Sequence, residues 1–142
     1  MTGTIQTPNP TIFPQMEEES LKLSLIAGVD LAKGVEVRLS ADNTVNTRTG
    51  TQFPIGVVDV AGLSGLNVTV QTVFSRTMKA VAKGGTIASG AFVKPNGTLN
   101  ADGRPQYVAC ASADFALAIV IDGGAVDTEI ILGILRSPVV VA

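Results

Sequence analysis

The sequence has no histidine and no tryptophan, and only one cysteine, one tyrosine and five phenylalanines among 142 residues. Each shortage removes some chemistry. Without imidazole there is no Ser-His or Cys-His nucleophilic pair. Cys110 alone cannot build a disulfide framework, and zinc, copper and haem sites lose their usual His and Cys ligands. Charge is scarce as well: 15% of residues are charged, against roughly 25% in an ordinary soluble protein. The formal net charge of -2 exerts no pull on a nucleic-acid backbone. Long apolar runs are missing, since Ala116 to Ile121 and Val139 to Ala142 fall far short of the ~20 residues that span a bilayer. Met1 to Pro10 contains neither a basic nor an apolar signal region. The expectation is a soluble chain made in a reducing cytoplasm, with no cofactor and neither nucleic acid nor membrane as partner. Cys110 then reads as a small buried hydrophobe.

What the chain does have is aliphatic residues in short alternating runs, punctuated by 15 glycines. Leu21, Leu23 and Leu25 alternate with Lys22 and Ser24; Val35, Val37 and Leu39 alternate with Glu36 and Arg38. Leu66, Val68 and Val70 do the same with Asn67, Thr69 and Gln71. A period of two puts one set of side chains on each face, as in half-buried strands. Ile55 to Val60 and Ala116 to Ile121 are continuous runs and predict strands buried on both faces. Ser75 to Ala82 fits a strand better than a helical turn. Turn residues separate these segments, and no stretch keeps a helical stripe. The predicted fold is all-β, a small sandwich or barrel over residues 20 to 142.

Two segments repeat. Leu31-Ala32-Lys33-Gly34-Val35-Glu36-Val37-Arg38 aligns with Ile87-Ala88-Ser89-Gly90-Ala91-Phe92-Val93-Lys94. Phe53 to Val58 aligns with Phe115 to Val120, and a glycine-rich turn and another strand follow each. Asn43-Thr44-Val45-Asn46 is matched to Gly97-Thr98-Leu99-Asn100. The reading is two pseudo-repeated strand units, with Gly34 and Gly90 in equivalent tight turns that exclude Cβ or require a positive φ. Asn96-Gly97 is a two-residue hairpin signal.

Residues 1 to 19 form a separate segment. Pro8, Pro10 and Pro14 favour an extended arm over a helix, and Glu17-Glu18-Glu19 closes it. Ile12 and Phe13 leave two readings open: a solvated tail, or an arm that anchors this apolar pair on a neighbouring subunit.

The remaining motifs fail on chemistry. Gly62-Leu63-Ser64-Gly65 lacks the second glycine of a nucleophile elbow. Gly85 to Gly90 has phosphate-loop glycine spacing, but Ala91 stands where the lysine belongs. Asp122, Asp127 and Glu129 offer oxygen ligands for Ca²⁺, yet without EF-hand spacing they read as acidic hairpin residues. A glycosidase pair would be expected to sit beside aromatic sugar platforms, and this chain has few aromatics. No catalytic, cofactor or metal residue survives, and association remains. Val139-Val140-Val141 after Pro138 is a terminal apolar strand that must be paired with its own sheet or covered by another subunit.

The order Gly28-x-x-Leu31-Ala32-x-Gly34-x-x-Val37, then Phe53 to Val58, then Ala116 to Val120 with Asp127 to Leu135, resembles the capsid decoration (cement) proteins of tailed bacteriophages. The resemblance covers most of residues 20 to 135; the arm and Pro138 to Ala142 lie outside it. It implies a non-enzymatic β protein on the outer surface of the virion capsid, made in the host bacterial cytoplasm. The implied partners are the major capsid protein and itself, as a homotrimer. Ile12 and Phe13 are then the expected capsid-binding residues, and Val139, Val140 and Val141 the expected subunit contacts. The alternatives are a head-fibre or tail-associated structural module and a glycan-binding β adhesin.

Overall fold

The structure, a computed structural model, describes residues 21–142. Ten strands and no helix occur among them, in two successive sets of five. The first set is β1 (Lys22–Ala27), β2 (Glu36–Ala41), β3 (Thr44–Thr47), β4 (Gly56–Val60) and β5 (Asn67–Thr72). The second is β6 (Phe74–Ala82), β7 (Phe92–Leu99), β8 (Pro105–Ala109), β9 (Phe115–Asp122) and β10 (Glu129–Val140). Each set closes on itself, in the order β1-β3-β2-β4-β5 and β10-β6-β8-β7-β9. The fold is thus all-β, built from two small barrels. Closure removes the open edges that would otherwise template aggregation.

The two barrels share one connectivity. Each is closed by a short parallel pair, β1 with β3 and β6 with β8, and every other neighbouring pair is antiparallel. Their loop hydrogen bonds match as well. The Gly34 amide donates to the Val58 carbonyl at 2.9 Å, and the Gly90 amide to Val120 at 2.7 Å. Leu31 exchanges two bonds with Gly62, and Ile87 exchanges two with Gly124. Gly65 donates to Ala27 and Asp127 to Ala82. Gly34 and Gly90 have φ of 90° and 83°, in the region where a Cβ is strained. Val37 faces Gly56 and Val93 faces Ala118, so the structural repeat has the register of the sequence repeat.

One stretch of the sequence alignment is corrected. Asn43 to Asn46 corresponds to the start of β8, not to Gly97–Asn100, because the β7–β8 hairpin is longer than the β2–β3 hairpin. The equivalent bonds run from Gly28 to the Val45 carbonyl and from Lys83 to the Tyr107 carbonyl. Asn96-Gly97 therefore does not turn the chain. It lies inside β7, where the register to β8 shifts between Pro95 and Leu99 and Gly97 takes φ 89°. The turn comes later, where the Asn100 side chain accepts from the Asp102 and Arg104 amides.

The first barrel is filled by Leu25, Val37, Leu39, Val45, Val58, Val68 and Val70, all buried. The second is filled by Ala80, Val93, Tyr107, Ala118, Val120, Ile130 and Leu132. The first core continues into the junction between the barrels, where Phe74, Ile119, Ile121 and Leu135 are packed against it. Phe53 and Phe92 add an edge-to-face pair, 5.0 Å between centroids, worth about 0.5–1.5 kcal/mol beyond its area.

Candidate interaction surface

Strand β9 shows how one alternating sequence serves two purposes. Ala118 and Val120 point into their own barrel, whereas Ile119 and Ile121 pack against the first one. The outward row of β9 continues from them to Leu117 and Phe115, which are exposed, Phe115 by 65%. Val140, the register partner of Phe115 on β10, is exposed beside it. The run Ala116 to Ile121 is therefore not covered along its whole length. Ile55 to Val60 also differs from the expected two-sided burial: Ile55, Gly56 and Val58 are buried, while Val57 and Val60 face out. In the first barrel no further layer covers this face of β4 among the described residues.

The C-terminal valines join this surface. Val139 and Val140 pair with Ala116 and Phe115 in their own sheet, and the Val141 amide donates to the Asp114 carbonyl at 2.9 Å. Their backbone groups are thus used within the chain, and Val139 packs against the junction core. Val140 alone of the three is fully turned to the surface. Ile12 and Phe13 lie outside the described residues.

A charged group flanks the stripe. Lys94 Nζ lies 2.8 Å from Asp114 Oδ2, which also accepts the Ala111 amide at 2.7 Å. The hydrogen bond from Lys94, reinforced by that amide, holds the Asp114 carboxyl below its usual range; the same bond raises Lys94. Cys110 nearby, half-buried, is pushed up, first by burial and then by the Asp114 charge.

The acidic residues near Gly123 do not converge on a metal. Glu129 is paired with Arg104 at 2.9 Å and reaches Lys79 at 4.0 Å, while Asp127 occupies a turn with φ 62°. Among the described residues no group of three His, Cys, Asp or Glu side chains could hold an ion. Ser64, in the elbow-like segment, sits in a turn where its amide donates to Asp30 Oδ1 at 2.8 Å. No helix among the described residues is long and apolar enough to cross a membrane.

Two shallow saddles lie at equivalent places in the two barrels, a feature that the sequence motifs did not reveal. Both are built from the turn after the first strand and the turn after the fourth. In the first barrel the walls are Asp30-Leu31-Ala32 and Ala61-Gly62-Leu63. In the second they are Thr86 to Ser89 and Gly123-Gly124-Ala125, with Ala41 and Asp42 of the β2–β3 hairpin added. The repeat alignment contained the information, because Leu31 and Ile87 are paired in it, but a concave shape has no linear signature.

No family model and no curated protein matches the sequence. Among solved structures, the chain is similar to the N base of the head fiber gp8.5 of bacteriophage phi29. The identity is 14% and the TM-score 0.32, over 84% of this chain and 97% of that one. A likeness of that size assigns no function, and the functional reading comes from the surface chemistry.

Proposed function

We propose that this chain is a structural protein of a bacteriophage head, a decoration protein that binds the outer capsid surface and bridges capsomers. It acts without catalysis, as a homotrimer whose other partner is the major capsid protein. One observation carries the reading. Two closed barrels with complete interiors still leave Phe115, Leu117, Val140, Val57, Val60, Leu63 and Leu66 exposed. Exposed apolar side chains grouped on strands and turns belong to surfaces that are covered in use. The sequence resemblance to capsid decoration proteins supplies the nature of the larger partner.

In this reading the mechanism is mechanical. An assembly of several copies touches several capsid subunits at once, so weak single contacts add through effective concentration. Bridging neighbouring capsomers then resists the separation that internal pressure drives. Ile12 and Phe13 anchor the capsid contact, and Val140, with Val139 and Val141 behind it, contributes to the subunit contact through side chains.

The test is co-sedimentation with phage heads, followed by electron microscopy. The full chain should pellet with the heads and add density to their outer surface. A chain lacking residues 1 to 19 should keep its β-sheet circular dichroism and lose most of its head occupancy. Undiminished occupancy would remove the arm assignment, and absence of head binding by the full chain would remove the decoration role. Binding to an immobilised glycan in place of heads would favour the adhesin.

A further inference from the structure

The two saddles differ in one respect. In the second barrel, the β2–β3 hairpin of the first barrel stands against the saddle. Gly123 donates its amide to Asp42 Oδ1 at 3.1 Å, and the Asn43 amide donates to the Ile121 carbonyl at 3.2 Å. In the first barrel nothing among the described residues stands in that place, and the walls are more apolar: Leu63, on the wall, is 63% exposed. The hairpin that corresponds to β2–β3 is β7–β8; Arg104 in its turn is paired with Glu129 of β10, and among the described residues nothing covers its Leu99 end. At its end Leu99 holds the place of Ala41, each being the last paired residue before the turn, and Leu99 is 64% exposed.

We infer that the β7–β8 hairpin of one copy seats in the Leu31–Gly62 saddle of a second copy, repeating between chains the contact made within each chain. Two observations select a second copy as the occupant. A hairpin already seats against the equivalent saddle between the two halves of the repeat, where β2–β3 meets the Ile87–Gly124 turns. The apolar groups are paired as well: exposed Leu99 at the end of the hairpin, exposed Leu63 on the saddle wall. Different surfaces meet in such a contact, so it is head-to-tail, and it closes into a ring if the rotation allows. This deepens the self-association part of the reading above. Its test contains no heads, so failure of capsid attachment and failure of this contact appear in different experiments.

The experiment is equilibrium sedimentation of three full-length chains: the native one, Leu63→Arg and Leu99→Arg. Both substituted residues are exposed, and circular dichroism confirms that each variant is folded. The native chain should sediment as a closed oligomer and each variant as a single chain. An equal mixture of the variants should give a two-chain species and stop there. The intact hairpin of Leu63→Arg fits the intact saddle of Leu99→Arg, and no second hairpin–saddle contact can form. A native chain that stays single at every concentration overturns the inference, as does a mixture that stays single. Association retained by Leu99→Arg also overturns it and directs attention to residues 1 to 20 as the occupant of the saddle.

Discussion

The two barrels share a connectivity and a set of loop hydrogen bonds, yet they present different surfaces at equivalent positions. Ile119 on β9 is 2% exposed because the first barrel covers it; Val57, its counterpart on β4, is 44% exposed. Two residues on, Ile121 is buried in the junction, while its counterpart Asp59 forms an ion pair with Lys22 at 3.1 Å. A repeat therefore preserves what the backbone needs and lets the outward side chains report which face is covered. The half-polar, half-apolar face of β4 is one that no other part of the chain covers among the described residues.

The largest test of this difference falls on the junction. Phe74 is fully buried there, and adding a Cβ to Gly133 would bring it 2.6 Å from the Phe74 ring. Phe74→Ala should cost about 3–5 kcal/mol in chemical denaturation, and Gly133→Ala about 1–3 kcal/mol through overpacking. Next comes the matched pair. Ile119→Ala should cost about 2–5 kcal/mol, but Val57→Ala in dilute protein no more than about 1 kcal/mol. Equal costs at the two positions would mean that the β4 face is covered in the same way.

A smaller effect should be the same in both barrels. Gly34→Ala has open space around its Cβ, and Gly90→Ala has only the Leu39 carbonyl at 4.0 Å, so strain at positive φ is the main cost. Each should lose about 1–2 kcal/mol. Clearly unequal losses would argue against equivalent turns.

The smallest effect separates the barrels by pH. In the first, the Thr49 amide is capped at 3.0 Å by neutral Gln52; in the second, the matching Ala111 amide is capped by Asp114. The lowered Asp114 value means that its contribution is present above the ordinary aspartate range and fades as pH falls through that lowered value. For Lys94, which is raised, the contribution is present below the ordinary lysine range and fades as pH rises through the raised value. Both groups are half-exposed and reached by solvent, so the slopes are shallow. Asp114→Asn should flatten the acid side of the stability-pH curve, and Gln52→Ala should leave its shape unchanged.

Much of the fold is legible in the sequence because period-two alternation and glycine spacing are local. Val35-Glu36-Val37 and Ala91-Phe92-Val93 mark equivalent strands, and the Gly34 and Gly90 turns come directly before them. Two features were not legible. Asn96-Gly97 has the chemistry of a hairpin turn, but a register shift used it as a bulge and Asn100 nucleated the turn instead. The exposure of Val57 against the burial of Ile119 depends on which barrel leans on which, and that is a tertiary fact. Most of the candidate surface is of this kind: Phe115 and Val140 lie far apart in the chain and become one patch only through the β9–β10 register.

Hydrogen exchange on the full chain, dilute and concentrated, tests the central difference most directly. The Gly123 amide should be protected at both concentrations, since it donates to Asp42 of the seated β2–β3 hairpin in the same chain. Its counterpart in the first saddle, the Ala61 amide, has no acceptor among the described residues and should gain protection only in concentrated protein, as a second copy covers it. Exchange at Ala61 that is the same at both concentrations would contradict the account.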